Sequence, residues 1–245
     1  MGWFLSRIGS LKLNNKNMSP LELFADIKKN NTKTKCLILG CGPSLNKITK
    51  EKVKELSKDH VIATIKQSYL EFGDHSDFQF FNCNNITKYE RNKAKFIYCS
   101  PSMSSNLKKQ NIDIFFSMSE HNPQKKFCHF KDLEDYFSIN NIGKFFGPGI
   151  IFEIVLPFIY NLGIKEIVTA GWDYSKDEGQ YNHFYRESKR AMFLNPARSL
   201  YLGENEESIT NSRRVNSFFK KNGVNLSCVE SEDCFLDDSI NRTLL

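Results

Sequence analysis

The run KCLILGCGPSLNKI, from Lys35 to Ile48, sets Gly40 and Gly42 directly behind a short apolar segment. Glycine lacks the Cβ atom that would hold a phosphate away from the main chain. The main-chain amides of the turn that follows can point at an anion. Such a turn supports nucleotide recognition at the end of an α/β sheet, and dinucleotide, S-adenosylmethionine and nucleotide-sugar proteins all use one.

Neighbouring residues narrow the choice. A dinucleotide fingerprint wants G-x-G-x-x-G, but Leu45 stands at its third glycine. It also wants an acid after the second strand to grip a ribose diol, and the chain supplies Lys66, Gln67 and Ser68 there. The missing acid speaks equally against a methyltransferase. No Gly-Lys-Ser or Gly-Lys-Thr occurs, which excludes a Walker A loop.

The elements that must position this turn read as one α/β domain. The chain has 245 residues, of which 40% are hydrophobic, enough for one sizeable core. Apolar, β-rich runs predict strands at Lys35 to Leu39, Val61 to Ile65, Phe78 to Phe81, Lys95 to Cys99, Ile112 to Phe116, Glu166 to Ala170 and Asn225 to Val229. Helical patterns fall at Pro20 to Lys29, at Thr49 to Ser57 behind a Thr49 cap, at Ile150 to Leu162 closed by Gly163, and at Glu206 to Asn222 closed by Gly223. Strands alternating with helices imply a Rossmann-like, mostly parallel sheet with helices on both faces. Residues 1–33 read as an N-terminal extension and residues 34–245 as the domain. Residues 175–204 have little helical or strand period and read either as a lid or as a helical excursion with a solvated face.

Charge and cysteines set further bounds. The 34 Lys and Arg against 28 Asp and Glu leave a net +6 without a long basic block, so no nucleic-acid partner is expected. Seven cysteines are dispersed with no CxxC pair, which fits a reducing compartment and no metal site. No cleavable signal peptide is read at the start, and the longest apolar stretch, Gly147 to Gly163, is interrupted by Glu153, Pro157 and Asn161, as a buried helix would be. The start MGWFLSRIGSLKL carries a short acylation pattern at Gly2 and Ser6, brief enough to arise by chance, and also reads as an amphipathic leader for a membrane or a partner. The expected location is cytoplasmic, either free or peripheral at the inner membrane face.

Two blocks in this order, ILGCGPSLNKI and GPGIIFEIVLPFIYNLGIKEIVTAGWDYS (Gly147 to Ser175), make the chain similar to the single-domain bacterial sialyltransferases of glycosyltransferase family 42. Related motility-accessory and pterin-pyrophosphokinase-like proteins share the G-x-G-P-S-L turn. A weaker block, SLYLGENEESITNSRRVNSFF from Ser199, is similar to the family segment that ends the lid and opens a helix. The resemblance implies a variant GT-A-like single domain, a CMP-linked sugar donor as substrate, no cofactor, and metal-independent inverting transfer of sialic acid or a related nonulosonic acid. The acceptor would be a hydroxyl of a glycan or glycoprotein, and a second copy of the chain is a further expected partner.

Carried over residue by residue, the resemblance assigns Gly40, Gly42, Pro43 and Ser44 to the donor's ribose-phosphate, with the Ser44 hydroxyl and amide donating. Gln67 falls at the family's Asn-Gln pair, with Lys66 in place of the Asn. Asn82 matches an Asn that reads the cytosine or ribose, and Gly147, Pro148 and Gly149 match a small-residue turn at a helix start. The family's histidine base aligns with Glu204, which lies close to Glu206 and Glu207. Its two phosphate-holding tyrosines align with Val168 and Ser175, with Tyr174 one place away.

Three side chains are therefore candidate bases: Glu204, His183 in the lid segment, and Asp173, just past the strand ending at Ala170, where ligands bind in open α/β sheets. Lys176, Arg186, Lys189, Arg190 and Arg198 are cations for a departing phosphate or ordinary surface charges. Trp172 either stacks on a base or sugar or is buried at the strand end. Two alternatives stand beside glycosyl transfer: ATP- and metal-dependent pyrophosphoryl transfer with Asp173 as a ligand, and a nucleotide-binding module without catalysis.

Overall fold

A computed structural model describes residues 18–82, 88–100, 112–117, 130–144, 149–172, 204–230 and 236–245. Among these, eight strands form one open sheet: β1 (Lys35–Leu39), β2 (His60–Ile65), β3 (Phe78–Asn82), β4 (Lys95–Ser100), β5 (Ile114–Ser117), β6 (Glu166–Ala170), β7 (Asn225–Val229) and β8 (Asn241–Thr243). Their order is β5-β4-β3-β2-β1-β6-β7-β8 and every pairing is parallel. The chain lays β2 to β5 on one side of β1, then crosses to place β6 to β8 on the other. Sheet order therefore reverses between β1 and β6, where Leu39 pairs with Ala170. In open α/β sheets a crevice opens at that reversal, outside the carboxyl ends of the strands.

Alternation along the strands sorts the core into two layers. Cys36 and Ile38 of β1, Val61, Ala63 and Ile65 of β2, and Phe78 and Phe80 of β3 face α1 (Pro20–Asn30) and α5 (Leu156–Asn161). Leu37, Leu39 and Ile62 face the opposite way, toward Val53 of α2 (Lys50–Leu56) and Phe72 of α3 (Ser68–Phe72). Helices thus cover both faces. The short α4 (Leu133–Tyr136) and the long α6 (Glu204–Lys221) complete the α1 side, with Tyr136, Val215 and Phe219 in its core.

The folded unit reaches further back than the boundary near Lys33 read from the sequence. Helix α1 opens on a capping box in which Ser19 and Glu22 satisfy each other's backbone amides, and it carries Leu23, Phe24 and Ile27 into the main core. Phe24 is fully buried, with its ring 4.8 Å from that of Phe158 in edge-to-face contact.

The helix expected from Ile150 to Leu162 forms, but with a wider first half. Residues Ile151–Val155 make a π-helical turn, in which the Leu156 amide reaches back to the Ile151 carbonyl, before α5 continues in α geometry. Pro157 supplies the cause. It has no N–H for the Glu153 carbonyl, and its ring would clash with that group in a regular α-helix.

Candidate functional site

The glycine turn and the end of β6 are sewn together at the switch point. The Gly40 amide donates to the Ala170 carbonyl at 2.7 Å, and the Gly42 amide donates to the Gly171 carbonyl at 2.8 Å. A Cβ on Gly40 would lie 2.2 Å from the Gly171 carbonyl oxygen, and Gly171, at φ +73°, would drive its own into Gly40. Main chain crosses main chain here with no room for any side chain. The buried Ser44 hydroxyl accepts from the Gly171 amide at 2.7 Å and locks the turn from beneath. This gives Ser44 a bracing role in addition to the ligand contact that the resemblance assigns it.

The end of β2 leans on the same turn. Ser68 accepts from the Ile65 amide at 2.9 Å and donates to the Leu39 carbonyl at 2.6 Å, which fixes the β2 turn against β1. Cys41 donates its thiol to the Ile65 carbonyl at 3.2 Å and lies 3.7 Å from Oε1 of the buried Gln67. Desolvation raises the Cys41 pKa, and the backbone around Ser68 and Gln67 together with the Lys66 ammonium offsets part of that rise.

At the end of β3, the buried Asn82 donates Nδ2 to Glu153 Oε2 at 3.3 Å. Glu153 lies in the π-helical turn and is itself buried. The lone acid of this helix therefore meets a strand-end amide at the carboxyl edge of the sheet. Its position inside the apolar run GIIFEIVLPFIYNLG is the signal the sequence offers for it. Beneath the pair, the Tyr136 hydroxyl donates to the Phe152 carbonyl at 2.7 Å. Burial pushes the Tyr136 pKa well up, and the charges of Glu153 and Cys99 push the same way. Trp172 is buried with its ring 5.3 Å from that of Phe152 in edge-to-face contact, the packing use of the two left open for it.

The residues singled out from the sequence fall in four places. Gly40, Gly42, Pro43, Ser44, Gln67 and Asn82 all stand at the carboxyl edge of β1, β2 and β3. Gly149 opens the π-helical turn at φ +118°, and its carbonyl accepts from the Phe152 and Glu153 amides. Glu204 is the first residue of α6, an 18-residue helix about 27 Å long that runs back toward the start of β7, so its backbone lies at the same edge of the sheet. Asp173, Tyr174, His183, Gly147 and Pro148 lie outside the described residues, as do the lid segment short of Glu204 and the basic residues Lys176, Arg186, Lys189, Arg190 and Arg198.

No group of three or more His, Cys, Asp or Glu among the described residues is placed to hold a metal ion. Among the same residues, no helix is long and apolar enough to cross a membrane. No family model matches the chain, and no curated protein or solved structure matches it either.

Proposed function

We propose that the protein is a glycosyltransferase that moves sialic acid or a related nonulosonic acid from a CMP-linked donor to a hydroxyl of a glycan or glycoprotein. The observation that carries the reading is the backbone crossing of Gly40 and Gly171 at the β1/β6 switch point. The crossing fixes the glycine turn at the strand ends beside the switch point, where ligands bind in open α/β sheets. Gln67 and Asn82 stand at the adjoining strand ends as polar groups for the base or ribose.

Transfer would proceed by in-line attack. Asp173, Glu204 or His183 takes the proton of the acceptor hydroxyl, whose oxygen bonds to the anomeric carbon as the bond from that carbon to the CMP phosphate oxygen breaks. CMP departs with the bonding electron pair, and the anomeric configuration inverts. The Gly40 and Gly42 amides are bonded to Ala170 and Gly171 and Pro43 has no N–H, so within this turn the Cys41 amide is the donor for the charge that gathers on the phosphate.

The test is release of CMP from a CMP-linked nonulosonic acid in the presence of a chelator, with the anomer of the product read by NMR. Chelator-resistant release with inversion supports the reading. Turnover of ATP that requires magnesium would replace it with pyrophosphoryl transfer, and CMP binding without turnover would replace it with a binding module.

A further inference from the structure

Lys66 is the one non-glycine residue with positive φ among those described, held at φ 51° directly after β2. A side chain there crowds the following carbonyl, and glycine would relieve the strain. Lysine offers none of the local side-chain hydrogen bonding that lets Asn or Asp tolerate this region. The conformation is nonetheless fixed at both ends. The Lys66 amide donates to the Phe80 carbonyl at 2.9 Å, and its carbonyl accepts from Gln79 Nε2 at 2.9 Å.

The grip on that carbonyl comes from a buried polar relay inside the sheet face. Gln79 Oε1 accepts from the Thr64 hydroxyl at 2.8 Å, and Thr64 Oγ1 lies 2.9 Å from Ser76 Oγ. All three side chains are fully buried. Polar groups are costly to desolvate and are retained when their geometry serves a purpose. Here the relay ends at a strained lysine on the edge of the crevice, and backbone strain of this kind gathers at ligand sites.

The ammonium itself has no carboxylate partner among the described residues. Lys66 is half-buried and lies between Ile65, whose carbonyl accepts the Cys41 thiol at 3.2 Å, and Gln67, whose Oε1 is 3.7 Å from the Cys41 sulfur, so its backbone stands beside the glycine turn. A cation beside that turn, braced by the main chain and without a carboxylate partner among the described residues, is suited to an anionic ligand.

The geometry points to Lys66 as an anion clamp: its strained backbone, fixed by the Ser76–Thr64–Gln79 relay, holds the ammonium against the phosphate of a ligand seated on Gly40 to Ser44. The nucleotide reading supplies the ligand's identity, whereas the clamp requires only its charge.

The experiment is isothermal titration of CMP, cytidine, AMP and pyrophosphate against the wild type, Lys66→Met, Lys66→Arg and Lys66→Gly, each checked for folding by its melting temperature. Lys66→Met should lose about tenfold in CMP affinity, as for a charge-assisted hydrogen bond, with cytidine affinity unchanged and Lys66→Arg restoring most of the loss. Lys66→Gly should bind CMP as weakly as Lys66→Met yet melt higher, because the strain is gone. Equal CMP affinity in wild type and Lys66→Met overturns the clamp and leaves the nucleotide reading standing. Lys66-dependent binding of pyrophosphate or AMP without preference for CMP keeps the clamp and removes the CMP reading. No Lys66-dependent binding of any of these anions overturns the clamp.

Discussion

Gly40 and Gly171 touch backbone to backbone, so closely that a Cβ on Gly40 would stand 2.2 Å from the Gly171 carbonyl oxygen. The contact joins the ends of β1 and β6, the two strands between which the sheet order reverses. It makes the first glycine of the G-x-G-P-S-L turn a matter of packing between two strand ends.

Substitutions at the glycines should separate this crowding from the left-handed penalty. Gly40→Ala meets backbone that cannot move aside cheaply, and should cost about 1–3 kcal/mol in urea unfolding. Gly171→Ala adds the left-handed penalty of roughly 1–2 kcal/mol to its own clash and should be the most destabilising. Gly163→Ala and Gly223→Ala, at φ +91° and +67° with open space around them, should show the left-handed penalty alone. Equal losses at all four positions would remove the crossing as a distinct constraint.

Ser44→Ala should lower stability as well as nucleotide affinity. It deletes the acceptor for the Gly171 amide at a buried site, a loss of about 1–3 kcal/mol. Melting temperature measured without ligand reads the bracing role. An unchanged melting temperature would show that Ser44 does not hold the turn to β6.

Asn82→Asp should make stability depend on pH. It would set a second carboxyl against Glu153, and two facing carboxylates resist ionising together. One of them takes a raised folded pKa, so the variant loses stability as pH rises through that pair's titration. The deficit against wild type should be larger at pH 8 than at pH 5, on the order of 1–3 kcal/mol. A deficit independent of pH would mean that the two side chains do not meet.

Alkaline stability follows from groups buried in their neutral forms. Burial raises the pKa of Cys36 well above 9.0 and that of Tyr136 well above 10.0. In the unfolded chain both ionise near those ordinary values, so above about pH 9 the unfolded state binds fewer protons than the folded state and stability falls as pH rises. Below about pH 8 neither group contributes an appreciable slope. Tyr136→Phe should flatten the part of the decline above pH 10, at a cost of about 1 kcal/mol for its hydrogen bond to Phe152. Denaturant melts between pH 7 and pH 11 check both expectations.

Much of the fold was legible because buried parallel strands are apolar runs. The segments at Lys35, Val61, Phe78, Lys95, Glu166 and Asn225 each became a strand, and Thr49 caps α2 by accepting from the Lys52 amide. β8, at Asn241–Thr243, escaped because three polar residues carry no apolar signal and owe their conformation to pairing with β7. The five-residue α3 escaped for a similar reason, since its position depends on Ser68 reaching across to β1.

The candidate site was legible where glycine spacing announced it and hidden where tertiary pairing creates it. The G-x-G-P-S-L turn could be read directly. Nothing in the sequence couples Asn82 to Glu153 across 71 positions, and nothing in the dipeptide Lys66-Gln67 marks a left-handed lysine. Both depend on which strand ends become neighbours.

The most direct measurement is a thermal-shift panel with CMP, UDP, ATP plus magnesium, and S-adenosylhomocysteine, since a ligand that binds only the folded state raises its melting temperature. A CMP-linked transferase predicts a shift with CMP that survives a chelator and is reduced in Asn82→Ala. A shift confined to ATP with magnesium, or no shift with CMP at millimolar concentration, would contradict it.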